Sequence, residues 1–360
     1  MAVDRPLRVV LADDSAFMRA LVGRALTDGG FDVVGRAVDG AGALELCREL
    51  RPDVLTLDLA MPGLGGLDVL ARLGTDAPSV PVVVVSAFSP ADGARAVDAL
   101  TAGAFDLVAK PAGDTPLRAF AEELAEKVRA AAESGARPRP RVRRATAGTG
   151  ADRPAPPAGQ RATSRAGGGP VLAIASSTGG PRSLAALLPR LRSLPAGGVI
   201  VQHMPPGFTR SLAERLDRAS AVEVREARDG DRLRRDLVLV APGGTHLRFD
   251  AQGVARLTDE PAIGGLRPRA DLTISDLARL HGDRLLLLVL TGMGRDGELG
   301  AQDVRRARGT IWAEHESTCA VYGMPRAVVE GGLAARALPI EELAGAAADE
   351  LAGARQEVAA

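Results

Sequence analysis

Lysine is nearly missing from this chain of 360 residues: of its 45 basic residues only Lys110 and Lys127 are lysines, and both lie in the first half. With the excess of Ala and Gly, that arginine preference reads as nucleotide-composition bias rather than function, so a lysine that survives it is singled out. Cysteine is almost as scarce, with Cys47 and Cys319 far apart, which excludes a disulfide framework and a Cys-rich zinc site and fits a reducing cytoplasm. Net charge is zero, 45 basic against 45 acidic residues, so no overall field points to nucleic acid or a membrane surface. No apolar run approaches membrane-spanning length, and the first residues, M-A-V-D-R-P-L-R, lack the pattern of a secretory signal. A cytoplasmic location without membrane insertion is expected.

What is present is a βα alternation. From residue 7 the runs LRVVLA, VVGRAV, VLTLDL, PVVVVSA and FDLVAK alternate with helical patterns, ending in LRAFAEELAEKVRAAAE. Strands this apolar are buried on both faces, as in a parallel sheet covered by helices. Residues 132–169 then turn to Arg, Pro, Gly, Ala, Thr and Ser without apolar periodicity or an aromatic residue, the composition of a flexible linker rather than a nucleic-acid-binding arm. Beyond it, VLAIA, GGVIVQH, LVLVAP and LLLLVLT begin a second βα series. The expected architecture is α/β: two doubly wound parallel-sheet domains, at 5–131 and 170–353, joined by that linker.

Functional groups of an open parallel sheet gather beyond the carboxyl ends of its strands. In the first domain those positions hold Asp13, Asp14, Asp58, Ser86 and Lys110. Three converging carboxylates need a counter-cation, and oxygen ligands suit Mg²⁺. A hydroxyl and a lysine opposite that ion suit a phosphoryl group. Any one of the five, taken alone, reads as a solvated loop residue; five in one register do not.

These residues lie in A-D-D-S, T-L-D-L-A-M-P-G, V-S-A and A-K-P, which resemble the receiver domain of two-component response regulators. The resemblance implies that Asp58 accepts a phosphoryl group from a histidine kinase, that the Ala60 carbonyl joins Asp13, Asp14 and Asp58 around Mg²⁺, that Ser86 and Lys110 bind phosphoryl oxygens, and that Phe105 is the switch aromatic. Ala60 stands where close relatives often carry an acid, and Gly65-Gly66 replaces a usual Asp-Gly; both departures fall in the loop after Asp58.

In the second domain, A-S-S-T-G-G-P at 175–181 directly follows a strand. Such a corner can expose a nucleophile or turn backbone N–H groups toward a phosphate. Neither G-x-x-x-x-G-K-[ST] nor G-x-G-x-x-G is present and lysine is absent from this domain, which disfavours a nucleotide-binding regulator. A nucleophile needs a base and a group to orient it. His203 closes the strand GGVIVQ on the same rim. His246 lies in the turn A-P-G-G-T-H and reads equally as a rim or a turn residue, while His281 and His315 read as surface positions. Asp296, in G-M-G-R-D-G, can fix an imidazole or cap a helix.

Together, A-S-S-T-G-G-P, V-Q-H-M-P, A-P-G-G-T-H, L-T-G-M-G-R-D-G and Y-G-M-P resemble the catalytic domain of chemotaxis protein-glutamate methylesterases, the CheB family. The resemblance implies Ser177 as nucleophile, with Ser176 at a position usually held by alanine, His203 and Asp296 as its partners, and backbone N–H groups of Thr178 and Met293 as oxyanion donors. It implies methylesterase and glutaminase activity on methyl-accepting chemotaxis receptors, relieved from receiver inhibition by phosphorylation, with no cofactor in the esterase domain. Arg269, in L-R-P-R-A-D, stands where relatives commonly have serine. A receiver-switched binding module without turnover is the competing reading, and methanol release separates the two.

Overall fold

The computed structural model describes residues 5–76, 80–87, 90–111, 116–135 and 169–358. Nearly all of the linker segment at 132–169 lies outside them. The first unit has strands β1 (Arg8–Ala12), β2 (Asp32–Ala37), β3 (Val54–Leu57), β4 (Val82–Ser86) and β5 (Asp106–Ala109). They alternate with helices α1 (Ala16–Asp28), α2 (Gly40–Leu50), α3 (Gly66–Asp76), α4 (Pro90–Ala102) and α5 (Leu117–Gly135). The sheet is parallel with order β2-β1-β3-β4-β5, and β3 (VLTL) and β4 (VVVVS) are buried throughout, as their mostly apolar sequences require. Local chemistry starts the helices: Ser15 caps α1 by accepting from the Met18 amide, and Asp39 caps α2 through Gly42.

The second unit comprises β6 (Val171–Ser176), α6 (Gly180–Leu187), β7 (Gly198–Gln202), α7 (Phe208–Ala219), β8 (Glu223–Glu226), β9 (Leu237–Val240), β10 (His246–Phe249) and β11 (Ala255–Thr258). It continues with α8 (Ala270–His281), β12 (Leu285–Val289), α9 (Glu298–Arg306), β13 (Thr310–Glu314), α10 (Met324–Glu330), β14 (Arg336–Leu338) and α11 (Ile340–Val358). Seven strands form a parallel sheet in the order β14-β13-β12-β6-β7-β9-β8, and β10 pairs with β11 as a separate antiparallel hairpin. The chain leaves β6 toward β7 on one side and returns through β12 on the other, so β6 is the topological switch point where α/β sheets open a crevice. Residues after β6, β7 and β12 therefore share one rim.

The two units touch. α4 packs against α6 and α7, and one buried apolar cluster runs from Val97 and Leu100 into Leu212 and Leu216. No helix among the described residues is long and apolar enough to cross a membrane.

Candidate active site and receiver pocket

The strand ends of the first sheet converge as the βα pattern requires. Asp13 and Asp58 are buried, Asp14 is exposed, and their carboxylate oxygens lie within 4.8 Å of one another. Lys110 Nζ sits 2.8 Å from Asp13 Oδ2 and 2.7 Å from Asp58 Oδ2. Burial pushes the Asp13 carboxyl above its ordinary value, although its hydrogen bond and charge contact with Lys110 oppose the shift. Lys110 moves upward too: burial works against its charge, but the two carboxylates outweigh it. Three hard oxygen donors and a single cation leave negative charge to be balanced, which fits a small divalent ion. Ser86 is buried at the end of β4, and Lys110 N donates to its carbonyl at 2.8 Å. The Ala60 amide donates to Asp58 Oδ1 at 3.2 Å, and Phe105 packs inward among Val83, Val108, Phe120 and Leu124.

At the second rim the adjacent serines differ. Ser176 is completely buried and donates its hydroxyl to Gln202 Oε1 at 2.7 Å. Ser177, one residue past β6, lines a cavity of about 540 Å³ together with Thr178, His203, Met204 and Met293. Its hydroxyl has no hydrogen bond among the described residues. Gln202, directly opposite Ser176 across β6 and β7, also donates Nε2 to the carbonyls of Ser177 and His203, both at 2.9 Å, and so ties the ends of the two strands together.

His203 Nε2 lies 2.7 Å from Asp296 Oδ2, which leaves Nδ1 as the ring atom available to the cleft. Asp296 is buried and accepts further from the amides of Ala270 at 2.7 Å, Asp271 at 3.0 Å and Gly297 at 2.9 Å. It thus meets both the imidazole and the first amides of α8, while α9, the helix it precedes, has Gly297 at its N-cap and no side-chain cap bond. Burial alone would raise its pKa; the hydrogen bond and charge of His203 and the amides of Ala270 and Asp271 outweigh burial and hold it well below the carboxylate range.

The loop after β12 comes close to Ser177 because Gly292 has no side chain: a Cβ there would stand 2.8 Å from that of Ser177. Thr291 anchors the loop by donating to the Thr178 carbonyl at 2.9 Å, and its amide donates to buried Glu314 at 3.0 Å. The amides of Thr178 and Met293 make no hydrogen bond among the described residues, and both residues border the cleft.

His246 is not on the rim. It begins β10 rather than lying in a turn, is fully buried, and spends both ring nitrogens on backbone, Nε2 on the Pro261 carbonyl at 3.2 Å and Nδ1 on the Arg269 amide at 3.2 Å. His281 ends α8, and His315 is exposed. Sequence alone does not single out Gln202, Glu314 or Asp271. Gln202 carried a signal, a polar residue ending a buried strand; Glu314 offered the same one at the end of TIWAE.

Fold and site together define a two-domain protein in which a receiver module is joined to an α/β domain with a serine, histidine and aspartate on one rim. The CheB methylesterase family matches residues 172–347, and the response regulator receiver domain matches residues 9–122. A protein-glutamate methylesterase/protein-glutamine glutaminase of Symbiobacterium thermophilum is 45% identical over 96% of this chain and 97% of its own length. A protein of the same description from Thermotoga maritima is 41% identical over 93% and 96%. Among solved structures, the Thermotoga maritima CheB methylesterase catalytic domain shares 43% identity, covering 51% of this chain and 97% of that one, with a TM-score of 0.48. This chain belongs to the protein-glutamate methylesterase/protein-glutamine glutaminase family, CheB.

Proposed function

We propose that this chain hydrolyses methyl esters of glutamate side chains, and the matching glutamine amides, on methyl-accepting chemotaxis receptors, with Ser177 as nucleophile, His203 as general base and acid, and Asp296 as the group that orients His203. The observation that carries the reading is the contrast at the β6 corner: Ser176 is buried and committed to Gln202, while Ser177 opens on the cleft beside the His203–Asp296 pair. His203 takes the Ser177 proton as the oxygen attacks the ester carbonyl. The Thr178 and Met293 amides receive the developing oxyanion. The tetrahedral intermediate collapses, His203 returns the proton to the leaving methoxide, and methanol departs. Water, deprotonated by His203, then attacks the acyl-enzyme and releases glutamate. Asp296 keeps the imidazole in one tautomer and stabilises the imidazolium. An amide follows the same path and releases ammonia.

In the receiver, Asp13, Asp14, Asp58 and the Ala60 carbonyl would hold Mg²⁺, which when bound neutralises phosphoryl oxygens as Asp58 takes the group from a chemotaxis-type histidine kinase. Lys110 and Ser86 would contact the remaining oxygens, and Phe105 would respond to their occupancy. Unphosphorylated, the receiver covers the cleft; the lining of that cavity by Asp106 of β5 and by α5 supports this. The test is methanol release from methylated receptor membranes: Ser177→Ala should lose at least about 10³-fold in kcat. Wild-type turnover by that variant would defeat the assignment.

A further inference from the structure

Two carboxylates, not one, stand behind His203. Asp296 gives one oxygen to the imidazole; Asp271, on the first turn of α8, is buried beside it. They meet at one peptide group, the amide of Gly297, which lies 2.8 Å from Asp271 Oδ1 and 2.9 Å from Asp296 Oδ1. Burial and the charge of Asp296 raise the Asp271 carboxyl above its ordinary value, against the Gly300 amide and Arg269. Like charges this close do not both ionise without a cation.

Arg269 supplies that cation. Its Nε is 2.9 Å from Asp296 Oδ1, its Nη2 is 2.7 Å from Asp271 Oδ2, and its Nη1 donates to the Ile263 carbonyl at 3.1 Å. The side chain is 18% exposed, so water screens the bridge weakly. Ester hydrolysis needs one carboxylate behind the imidazole; a second, uncompensated, would favour the imidazolium and remove the base.

We propose that Arg269 cancels the charge of Asp271, so that His203 faces a single net carboxylate instead of two. Arg269 is thus a positioning residue acting through Asp296, and its role rests on the esterase reading above. Asp106, Glu122, Glu123, Glu126, Lys127 and Arg267 line the same cleft as His203 and are common to every variant below.

The experiment is an NMR titration of ¹⁵N-histidine-labelled full-length protein, with the His203 signal assigned by its loss in His203→Gln. Arg269→Ser should move the His203 midpoint upward by about half a pH unit or more, roughly a threefold change in the protonation equilibrium. Arg269→Lys, which keeps a cation, should stay near wild type, and Arg269→Ser with Asp271→Asn should return there. In turnover, Arg269→Ser should lose kcat/KM near neutral pH and recover it at alkaline pH, with KM little changed. A midpoint unmoved in Arg269→Ser overturns the inference, as does a rate loss equal at every pH. Should Arg269→Ser fail to fold, Asp271→Asn alone leaves the arginine paired with Asp296 only, so that the net negative charge behind His203 falls and the midpoint should drop; an unmoved midpoint there overturns the inference equally. The titration needs no substrate, so wild-type protein that releases no methanol defeats the esterase reading alone, and an unmoved midpoint defeats this inference alone.

Discussion

At the scale of single residues, the corner after β6 assigns opposite duties to two identical side chains. Ser176 donates into the sheet to Gln202, whose amide nitrogen holds the carbonyls of Ser177 and His203. Ser176→Ala leaves Gln202 Oε1 buried without that donor, at a cost of about 1–3 kcal/mol. Urea denaturation should show this loss, while methanol release falls less than about tenfold, because the proposed triad of Ser177, His203 and Asp296 remains. A Ser176→Ala variant as inactive as Ser177→Ala would mean that the wrong serine has been placed in the reaction. From sequence the two were separable only by resemblance, through the position of the Thr-Gly-Gly run. The physical distinction is the partner across the strand pair, and pairing partners are not written in one strand's residues.

At the scale of elements, legibility followed unbroken apolar sequence rather than burial alone: β13, TIWAE, is buried inside the sheet but has polar residues at both ends and is not among the strands read from sequence. The runs VLAIA, GVIVQ, LVLV and LLLLV are apolar because β6, β7, β9 and β12 lie in the interior of the sheet, and each could be read directly. β8, with sequence EVRE, and β14, with RAL, are edge strands whose outer faces meet solvent, so neither carried an unbroken apolar run. The β10–β11 hairpin is not legible because its four-residue strands, HLRF and ARLT, interleave polar and apolar residues, and the burial of His246 goes unread with it. Helix α8 makes its own prediction. A histidine at a helix C-terminus is ordinarily favoured in its charged form, but burial, reinforced by Arg284, depresses His281 to about 4. Its folded pKa lies below its unfolded value near 6.5, so the unfolded chain binds the extra proton in between. The stability this contributes is complete above about pH 6.5 and is lost as pH falls toward 4. Because the ring is only part-buried, solvent screening reduces the effect to about 1–2 kcal/mol. His281→Gln should flatten that part of the stability curve, measured by urea denaturation between pH 4.5 and 7; an unchanged slope would assign the acid sensitivity elsewhere.

At the scale of the whole molecule, a side-chain hydrogen bond links the loop after β6 to β5 of the receiver. Thr178, which follows Ser177, donates its hydroxyl to Asp106, which follows Phe105; Asp106 is in turn 3.6 Å from Lys127 of α5. Behind this contact α4 packs on α7, and Arg215 pairs with Asp98. Under the proposed roles, a receiver rearrangement that moves Phe105 would reach the loop holding Thr178 through one side-chain hydrogen bond. Coupling of about 1–3 kcal/mol corresponds to roughly 5- to 150-fold regulation, and one charge-assisted hydrogen bond supplies energy of that order, about 1.5–3 kcal/mol. Asp106→Ala should accordingly raise methanol release by the unphosphorylated full-length protein several-fold and shrink the further gain on adding Mg²⁺ and a small phosphodonor. Asp58→Asn should show no response to the phosphodonor at all. If Asp106→Ala keeps both the wild-type basal rate and the wild-type gain, restraint of the cleft resides in the α4–α7 packing instead, and apolar substitutions there, not the Asp106–Thr178 contact, would set the ratio between the two states.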